Sequence, residues 1–142
     1  MKVGYMRFLA AALLAVSLVV PAISIAEEMD LNSAINKSGR QRMLSQRMTK
    51  AYCRIGLNIR RDEAEKQLSD AIPLFERQLA DLKAFSPSGP INAALANVEA
   101  KWTPFKQIVT KPYNRDSVAR LLDLNEELLQ ATERVVRLYE EQ

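Results

Sequence analysis

Residues 118–141 read VARLLDLNEELLQATERVVRLYEE, and their apolar side chains recur at alternating intervals of three and four residues. The repeating positions are Val118, Leu121, Leu124, Leu128, Ala131, Val135 and Leu138. Since residues three and four apart share one face of an α-helix, this stretch predicts a long helix with one buried stripe. The period is close to 3.5 residues, which favours nearly parallel packing against other long helices.

The two preceding segments carry the same pattern. One has Leu68, Ile72, Phe75, Leu79 and Leu82, and the other has Ile91, Leu95, Val98, Trp102, Phe105 and Val109. Turn-forming residues separate the segments at 86–90 (SPSGP), at 111–114 (KPYN) and more weakly at 56–61. We therefore expect helices at about 30–57, 62–85, 90–110 and 115–141.

Prolines and connection lengths refine this expectation. Pro90 suits the first turn of the third helix, whereas Pro73 and Pro104 should kink their helices or split off short pieces. Short connections make neighbouring helices antiparallel, so the sequence predicts an all-α, antiparallel up-down-up-down four-helix bundle.

The N-terminus has the features of a secretory signal peptide spanning residues 1–26. Lys2 and Arg7 precede an apolar run at 8–20, and small residues follow before position 27. The run is shorter than the roughly 20 residues of a membrane span, although an uncleaved anchor is the alternative. No second apolar run follows, so we expect an exported, periplasmic domain at 27–142.

The composition argues against several function classes. Two of the 20 Lys and Arg residues lie in the leader, and the remaining 18 nearly balance 17 Asp and Glu, so we expect no nucleic-acid partner. The chain has no histidine, which removes most metal sites and histidine acid–base chemistry, and it has no Cys-x-x-Cys-His haem motif. Only four glycines occur, and no phosphate-binding loop is formed. We expect no enzyme activity, metal or cofactor.

The single cysteine, Cys53, leaves two interpretations open. It is either a small buried apolar side chain or a thiol that pairs across a dimer.

The first helix carries an unusual distribution of charge. Eight basic residues and no acidic ones occur between Lys37 and Arg61. On a helical wheel, Leu44, Met48, Tyr52, Ile55 and Ile59 form an ordinary core stripe. A second stripe contains Leu31, Ile35, Ser38, Arg42, Ser45 and Cys53. Arg40, Arg47, Lys50 and Arg54 point the other way, and a solvated face is the simple interpretation for these four. We assign Lys37, Arg40, Arg47 and Lys50 to a secondary basic face.

Arg42 shares its stripe with small and apolar residues, flanked by Ser38 and Ser45. A guanidinium group cannot lose its charge, and it is costly to bury without a partner. A bound anion would satisfy it, and two copies facing across a two-fold axis would form a symmetric clamp. The alternative is an ion pair with an acid of another helix, such as Asp123 or Glu127.

Residues 35–48, INKSGRQRMLSQRM, resemble the opening helix of the PilJ/NarX-type sensor domain. The motif order Asn-Lys-x-Gly-x-x-Arg-Met-x-Ser-x-Arg is preserved. This domain is the periplasmic part of the NarX and NarQ nitrate sensor kinases and the N-terminal region of type IV pilus chemotaxis-like transducers. The resemblance implies a bundle that dimerises through its first helix.

In the nitrate sensors this stretch is the P-box, whose central arginine from each protomer holds the ligand at the dimer interface. By motif position that arginine is Arg42, while Lys37, Gly39, Met43 and Arg47 match other P-box positions. The resemblance implies that Gly39 allows close helix approach and that Arg47 tunes the signalling surface. Residues 40–41 and 44–46 look closer to the pilus-transducer variety, whose ligand the resemblance does not identify.

Two functions follow as hypotheses. The first is a periplasmic homodimer that binds a small anion, with nitrate or nitrite as leading candidates. Ligand-binding residues would be Arg42, Ser38, Ser45, Gly39 and Met43, and a membrane-bound sensor or transducer would read the bound state. The second is a structural or adaptor protein without a ligand, which docks its basic surface on a membrane receptor or on a type IV pilus or envelope component.

Overall fold

The computed structural model describes residues 29–142, and the predicted signal peptide at 1–26 lies outside them. Within this range there are four α-helices: α1 (Leu31–Gly56), α2 (Arg61–Phe85), α3 (Gly89–Val109) and α4 (Val118–Glu140). A 3-10 turn at Arg115–Ser117 leads into α4. No strand occurs in this part of the chain. The predicted all-α class with four helices is confirmed.

The helix ends follow from local chemistry. The Asp30 carboxylate accepts the backbone N–H of Ser33 at 2.7 Å, and this bond caps the start of α1. Asp62 and Glu63 lie in the first turn of α2, where carboxylates meet the positive end of the helix dipole. Pro90 lies in the first turn of α3, as the sequence predicts.

Both internal prolines lie within continuous helices. Pro73 is inside α2 and Pro104 is inside α3, and neither helix is divided into shorter pieces. The expected splitting is therefore absent. Packing of the flanking apolar residues on both sides of each proline outweighs the one backbone hydrogen bond that a proline removes.

The apolar stripes read from the sequence meet in one core. All six stripe residues of α3 are buried, as are six of the seven in α4, where Val118 is only partly covered. The largest fully buried side chains include Tyr52, Phe75, Phe105 and Tyr139. The Phe75 and Trp102 rings stack with their centroids 4.2 Å apart. Burial of this apolar surface is the main source of stability.

Cross-helix contacts join early residues of one helix to late residues of the next. Lys37 contacts Asp81 and Arg54 contacts Glu63, which is the order that an antiparallel pair of α1 and α2 produces. Thr49 contacts Asn125 and Arg42 contacts Glu133, which is the same order for α1 and α4. Helix α1 therefore packs between α2 and α4, and one side of α1 is left free.

None of the helices in residues 29–142 combines the length and the apolar character that a membrane crossing requires.

Candidate functional site

The free side of α1 is the candidate surface, and we call it the outer face. Between positions 36 and 50 its exposed or partly exposed residues are Asn36, Gly39, Arg40, Met43, Gln46, Arg47 and Lys50. The opposite side of the same helix buries Leu44, Met48 and Tyr52 in the core. The outer face is thus produced by helical periodicity alone, because every third or fourth residue turns away from the bundle.

The centre of the outer face is small and apolar. A Cβ atom built on Gly39 would have no other atom within 4 Å, so this position opens onto free space. One turn further, the Met43 side chain is 45% exposed, which is unusual for a large apolar residue. Together they form an apolar spot on a side of α1 that no other helix of residues 29–142 covers.

Three cations surround this spot without carboxylate partners. Arg40, Arg47 and Lys50 form no ion pair with any residue of the described range 29–142. Within residues 29–142 the one side-chain hydrogen bond of Arg47 goes to the Met43 sulfur, at 3.9 Å. The outer face is consequently a surface of net positive charge.

Lys37 does not share the outer face. Its ammonium group lies 2.5 Å from the Asp81 carboxylate of α2, and its side chain is only 32% exposed. Lys37 therefore joins α1 to α2, and the secondary basic face consists in this structure of Arg40, Arg47 and Lys50.

Arg42 lies at the border between the outer face and α4. Its side chain is 44% exposed, and its Nη1 atom is 3.7 Å from Oε1 of Glu133. Glu133 also lies 3.9 Å from Arg137, so its carboxylate is shared by two cations. An exposed pair at this distance contributes little to stability.

The alternative expectation for Arg42, an ion pair with an acid of another helix, is met in kind by Glu133, but the two acids suggested from the sequence, Asp123 and Glu127, are placed elsewhere. Glu127 binds Lys101 at 2.7 Å, and this hydrogen bond lowers the pKa of Glu127 below its ordinary value. Asp123 lies near the other end of the α1–α4 contact, because Asn125 faces Thr49 and not Arg42. The register of α1 on α4 selects Glu133, about two turns further along α4.

Ser38 and Ser45 turn into the bundle and are fully buried. The Ser38 hydroxyl donates to the carbonyl of Ala34 at 2.9 Å, and the Ser45 hydroxyl donates to the carbonyl of Arg42 at 2.9 Å. Both hydroxyls are thus used within α1. The structure brings Gly39 and Met43 together on the outer face, with Arg42 at its edge and the two serines behind it.

Sequence reasoning missed two buried polar contacts of α1. Gln41 donates its side-chain amide to the carbonyl of Phe75 at 2.8 Å. The Thr49 hydroxyl lies 2.9 Å from the amide oxygen of Asn125. The signal was present in the spacing of positions 38, 41, 45 and 49, which places four polar residues on one side of the helix.

Cys53 is partly buried near the end of α1. Burial raises the pKa of its thiol above the ordinary value, which keeps the thiol protonated at neutral pH. No group of three Cys, Asp or Glu side chains with metal-binding spacing occurs in residues 29–142.

Comparison with known proteins agrees with this architecture. The family model described as PilJ, type IV pili methyl-accepting chemotaxis transducer N-term, matches residues 25–123. The match spans α1, α2 and α3 and the beginning of α4. Searches of curated proteins and of solved structures found no match. Since the matched range exceeds two thirds of the chain, this protein belongs to the PilJ family of chemotaxis-transducer sensory domains.

Proposed function

We propose that this sensory domain works in the periplasm as a homodimer that binds a small anion, such as nitrate or nitrite, between two α1 helices. Membership of the PilJ family supports the sensory and periplasmic parts of the proposal. The resemblance of residues 35–48 to the P-box supports Arg42 as the ligand-binding residue. The observation that carries the proposal is the weak ion pair of Arg42. Its nearest carboxylate oxygen belongs to Glu133 and is 3.7 Å away, and the Glu133 side chain is 41% exposed.

We also infer that the bundle is antiparallel and up-down-up-down. The order of contacts between α1 and α2 and between α1 and α4 supports this arrangement. Contacts of Lys83 with Glu99 and of Trp102 with Glu76 follow the same order between α2 and α3.

The outer face explains why dimerisation would depend on an anion. Gly39 would let two α1 helices approach closely, and Met43 would supply apolar contact. The same approach brings Arg40, Arg42 and Arg47 of both copies together, and like charges repel. An anion held between the two Arg42 side chains would offset this repulsion and shift the population towards the dimer.

Nitrate titration of residues 27–142 tests the proposal. We expect the melting temperature and the dimer fraction in analytical ultracentrifugation to rise together with nitrate. A ligand at a hundredfold excess over its Kd stabilises the bound state by about 2.7 kcal/mol. The Arg42→Ala variant should lose both responses. The matched control is Arg134→Ala, since Arg134 is an exposed arginine of α4 without an ion pair in the described range.

A second variant tests the competition between ligand and Glu133. Glu133→Gln removes the carboxylate nearest to Arg42 and should strengthen nitrate binding, because the guanidinium is then free for the anion. Absence of any nitrate response at millimolar concentration, or an equal response in Arg42→Ala, would exclude the anion site.

The adaptor function is the second candidate, and it is favoured by the unpaired charges of Arg40, Arg47 and Lys50. In this case the domain would dock on an acidic surface of a membrane receptor or of a pilus or envelope component. Binding to solubilised envelope fractions should then weaken with salt and be lost in the triple variant Arg40→Gln/Arg47→Gln/Lys50→Gln. It should persist in Arg42→Ala, whereas loss of binding in that variant would favour the anion-dependent dimer.

A further inference from the structure

A second cavity lies far from Arg42, at the end of the bundle where α3 connects to α4. It has two adjoining parts of about 450 Å³ and about 540 Å³, both open to solvent, and the larger part is bounded by Tyr52 of α1, by α3, by the linker at 110–117 and by α4. Small-molecule sites in proteins commonly have volumes of about 300–1,000 Å³. The larger part is therefore big enough for a small organic ligand.

The residues that line this larger cavity fall into a polar set and an apolar set. Gln107, Lys111, Asn114, Ser117 and Arg120 supply two amides, one hydroxyl and two cationic groups. The remaining wall is mostly apolar and is formed by Tyr52, Pro104, Ile108, Pro112 and Leu124. A ligand that matches both sets of residues has an apolar body and a polar end.

The charge of the polar set selects an anion. No Asp or Glu lines the cavity. Lys111 has no carboxylate partner within residues 29–142. Arg120 is 3.6 Å from Glu127, but Glu127 already binds Lys101 at the shorter distance of 2.7 Å. Two positive charges thus face this space with little internal compensation.

The adjoining part of about 450 Å³ favours an anion less than the larger part does. It lies on the other side of Tyr52 and is lined mainly by apolar residues. Its acidic residue, Glu65, is bound by Arg61 at 2.7 Å. Lys111 lines this part as well, but the second cation there, Arg61, is neutralised by Glu65, so the larger part is the better anion site.

We propose that the larger cavity binds a small organic carboxylate, with its apolar body against Ile108 and Pro112 and its carboxylate between Lys111 and Arg120. A guanidinium and an ammonium group are the usual protein partners of a carboxylate. This site is separate from the anion site proposed at Arg42, because Arg42 lies on another part of α1.

Tyr52 connects this site to the helix that carries Arg42. It is a fully buried residue of α1, and its hydroxyl accepts the backbone N–H of Asn114 at 2.9 Å. The linker is therefore tied directly to α1. A ligand in the cavity contacts the linker and stabilises the bond between the linker and α1. Binding at this end of the bundle therefore acts on the same helix that carries Arg42.

Benzoate is a suitable probe because it joins an apolar ring to one carboxylate, and benzamide is its neutral counterpart. We titrate residues 27–142 with each compound and follow backbone amide signals by NMR. Benzoate should shift signals within 104–124 and at Tyr52, and benzamide should not. In Lys111→Gln/Arg120→Gln the affinity for benzoate should fall by about tenfold or more, as expected for lost charged hydrogen bonds. Arg77→Gln/Arg134→Gln removes the same charge from exposed sites and should bind normally.

Two outcomes would overturn the proposal. The first is no signal change with benzoate at about 10 mM, well above the Kd of a weak millimolar ligand. The second is equal affinity in Lys111→Gln/Arg120→Gln and the wild type. Benzoate binding that persists in Arg42→Ala, beside a nitrate response that persists in Lys111→Gln/Arg120→Gln, would show that the two sites succeed or fail separately.

Discussion

Gly39 and Gly56 both lie in α1 and have negative φ angles, but their surroundings are opposite. Gly39 opens onto free space, whereas a Cβ atom on Gly56 would overlap the ring of Tyr113. Tyr113 belongs to the linker before α4, and its ring packs against Tyr52 with centroids 5.3 Å apart. Gly56 is therefore the residue that lets the linker close over the end of α1.

Alanine substitution should separate these two glycines. Gly56→Ala should destabilise the domain by about 1–3 kcal/mol, the usual cost of forcing extra atoms into a packed site. Gly39→Ala should stabilise the monomer by up to about 1 kcal/mol, because alanine restricts the unfolded chain and favours the helix. Urea unfolding of both variants measures the difference. Equal effects at the two positions would show that the Tyr113 ring moves aside without cost.

At the same scale, the sequence predicted some side-chain positions and not others. Periodicity correctly assigned Leu44, Met48 and Tyr52 to the core, since a wheel reports direction within one helix. It was wrong for Ile59, which lies beyond the end of α1 and is 51% exposed. It could not choose the partner of Arg42, because that depends on the register between α1 and α4. Nor could it show that Ser38 and Ser45 bond to carbonyls of their own helix, which short polar side chains do locally when they are buried.

At the scale of the helices, boundaries were predictable to within a few residues because turn-forming residues mark them. The break between α1 and α2 was predicted at 56–61, and the helices end at Gly56 and restart at Arg61. The conformation of that break was not predictable. Asn58 and Arg60 adopt the left-handed region, with φ of 54° and 45°, although neither is glycine. The packing of α1 against α2 holds both residues in this conformation, which their local preference disfavours.

Pro73 and Pro104 show that local rules have limits within helices as well. Local rules predicted that these residues would kink their helices or split off short pieces, and the splitting does not occur, because α2 and α3 continue through them. Next to the proline in α3, Trp102 and Phe105 are buried, and Phe75 is buried two residues after Pro73. The packing energy of such aromatic residues exceeds the loss of one backbone hydrogen bond.

For the whole molecule, the periodic stripes sufficed to predict four packed helices, since each apolar stripe must be covered by another. The cavity at the end of the bundle was beyond sequence reasoning. It is formed by Tyr52, Lys111 and Arg120, which come from α1, the linker and α4 and meet only when the helices pack. Surfaces on one helix can be read from a sequence, whereas sites assembled from several elements require their relative positions.

The titration behaviour of the whole domain follows from its carboxylates, because the chain contains no histidine. Hydrogen bonds from Lys106 and Lys101 lower the pKa values of Glu76 and Glu127, respectively, below the ordinary value of 4.5. A lowered pKa in the folded state stabilises the fold above the unfolded-state pKa, and this contribution is lost as the pH falls through the folded-state pKa.

We therefore expect the urea midpoint to stay nearly constant between about pH 5.5 and 7.5, where no side chain of ordinary pKa titrates. It should decline below about pH 4.5, as Glu76 and Glu127 become protonated. Glu76→Gln should lower the midpoint at neutral pH and make the acid decline shallower, because its ion pair with Lys106 is then already absent. Glu140→Gln, at an exposed position without an ion pair in the described range, should leave the profile unchanged. A midpoint that rises between pH 5.5 and 4 would contradict the assigned direction, since it would mean that these carboxylates favour the unfolded chain when charged.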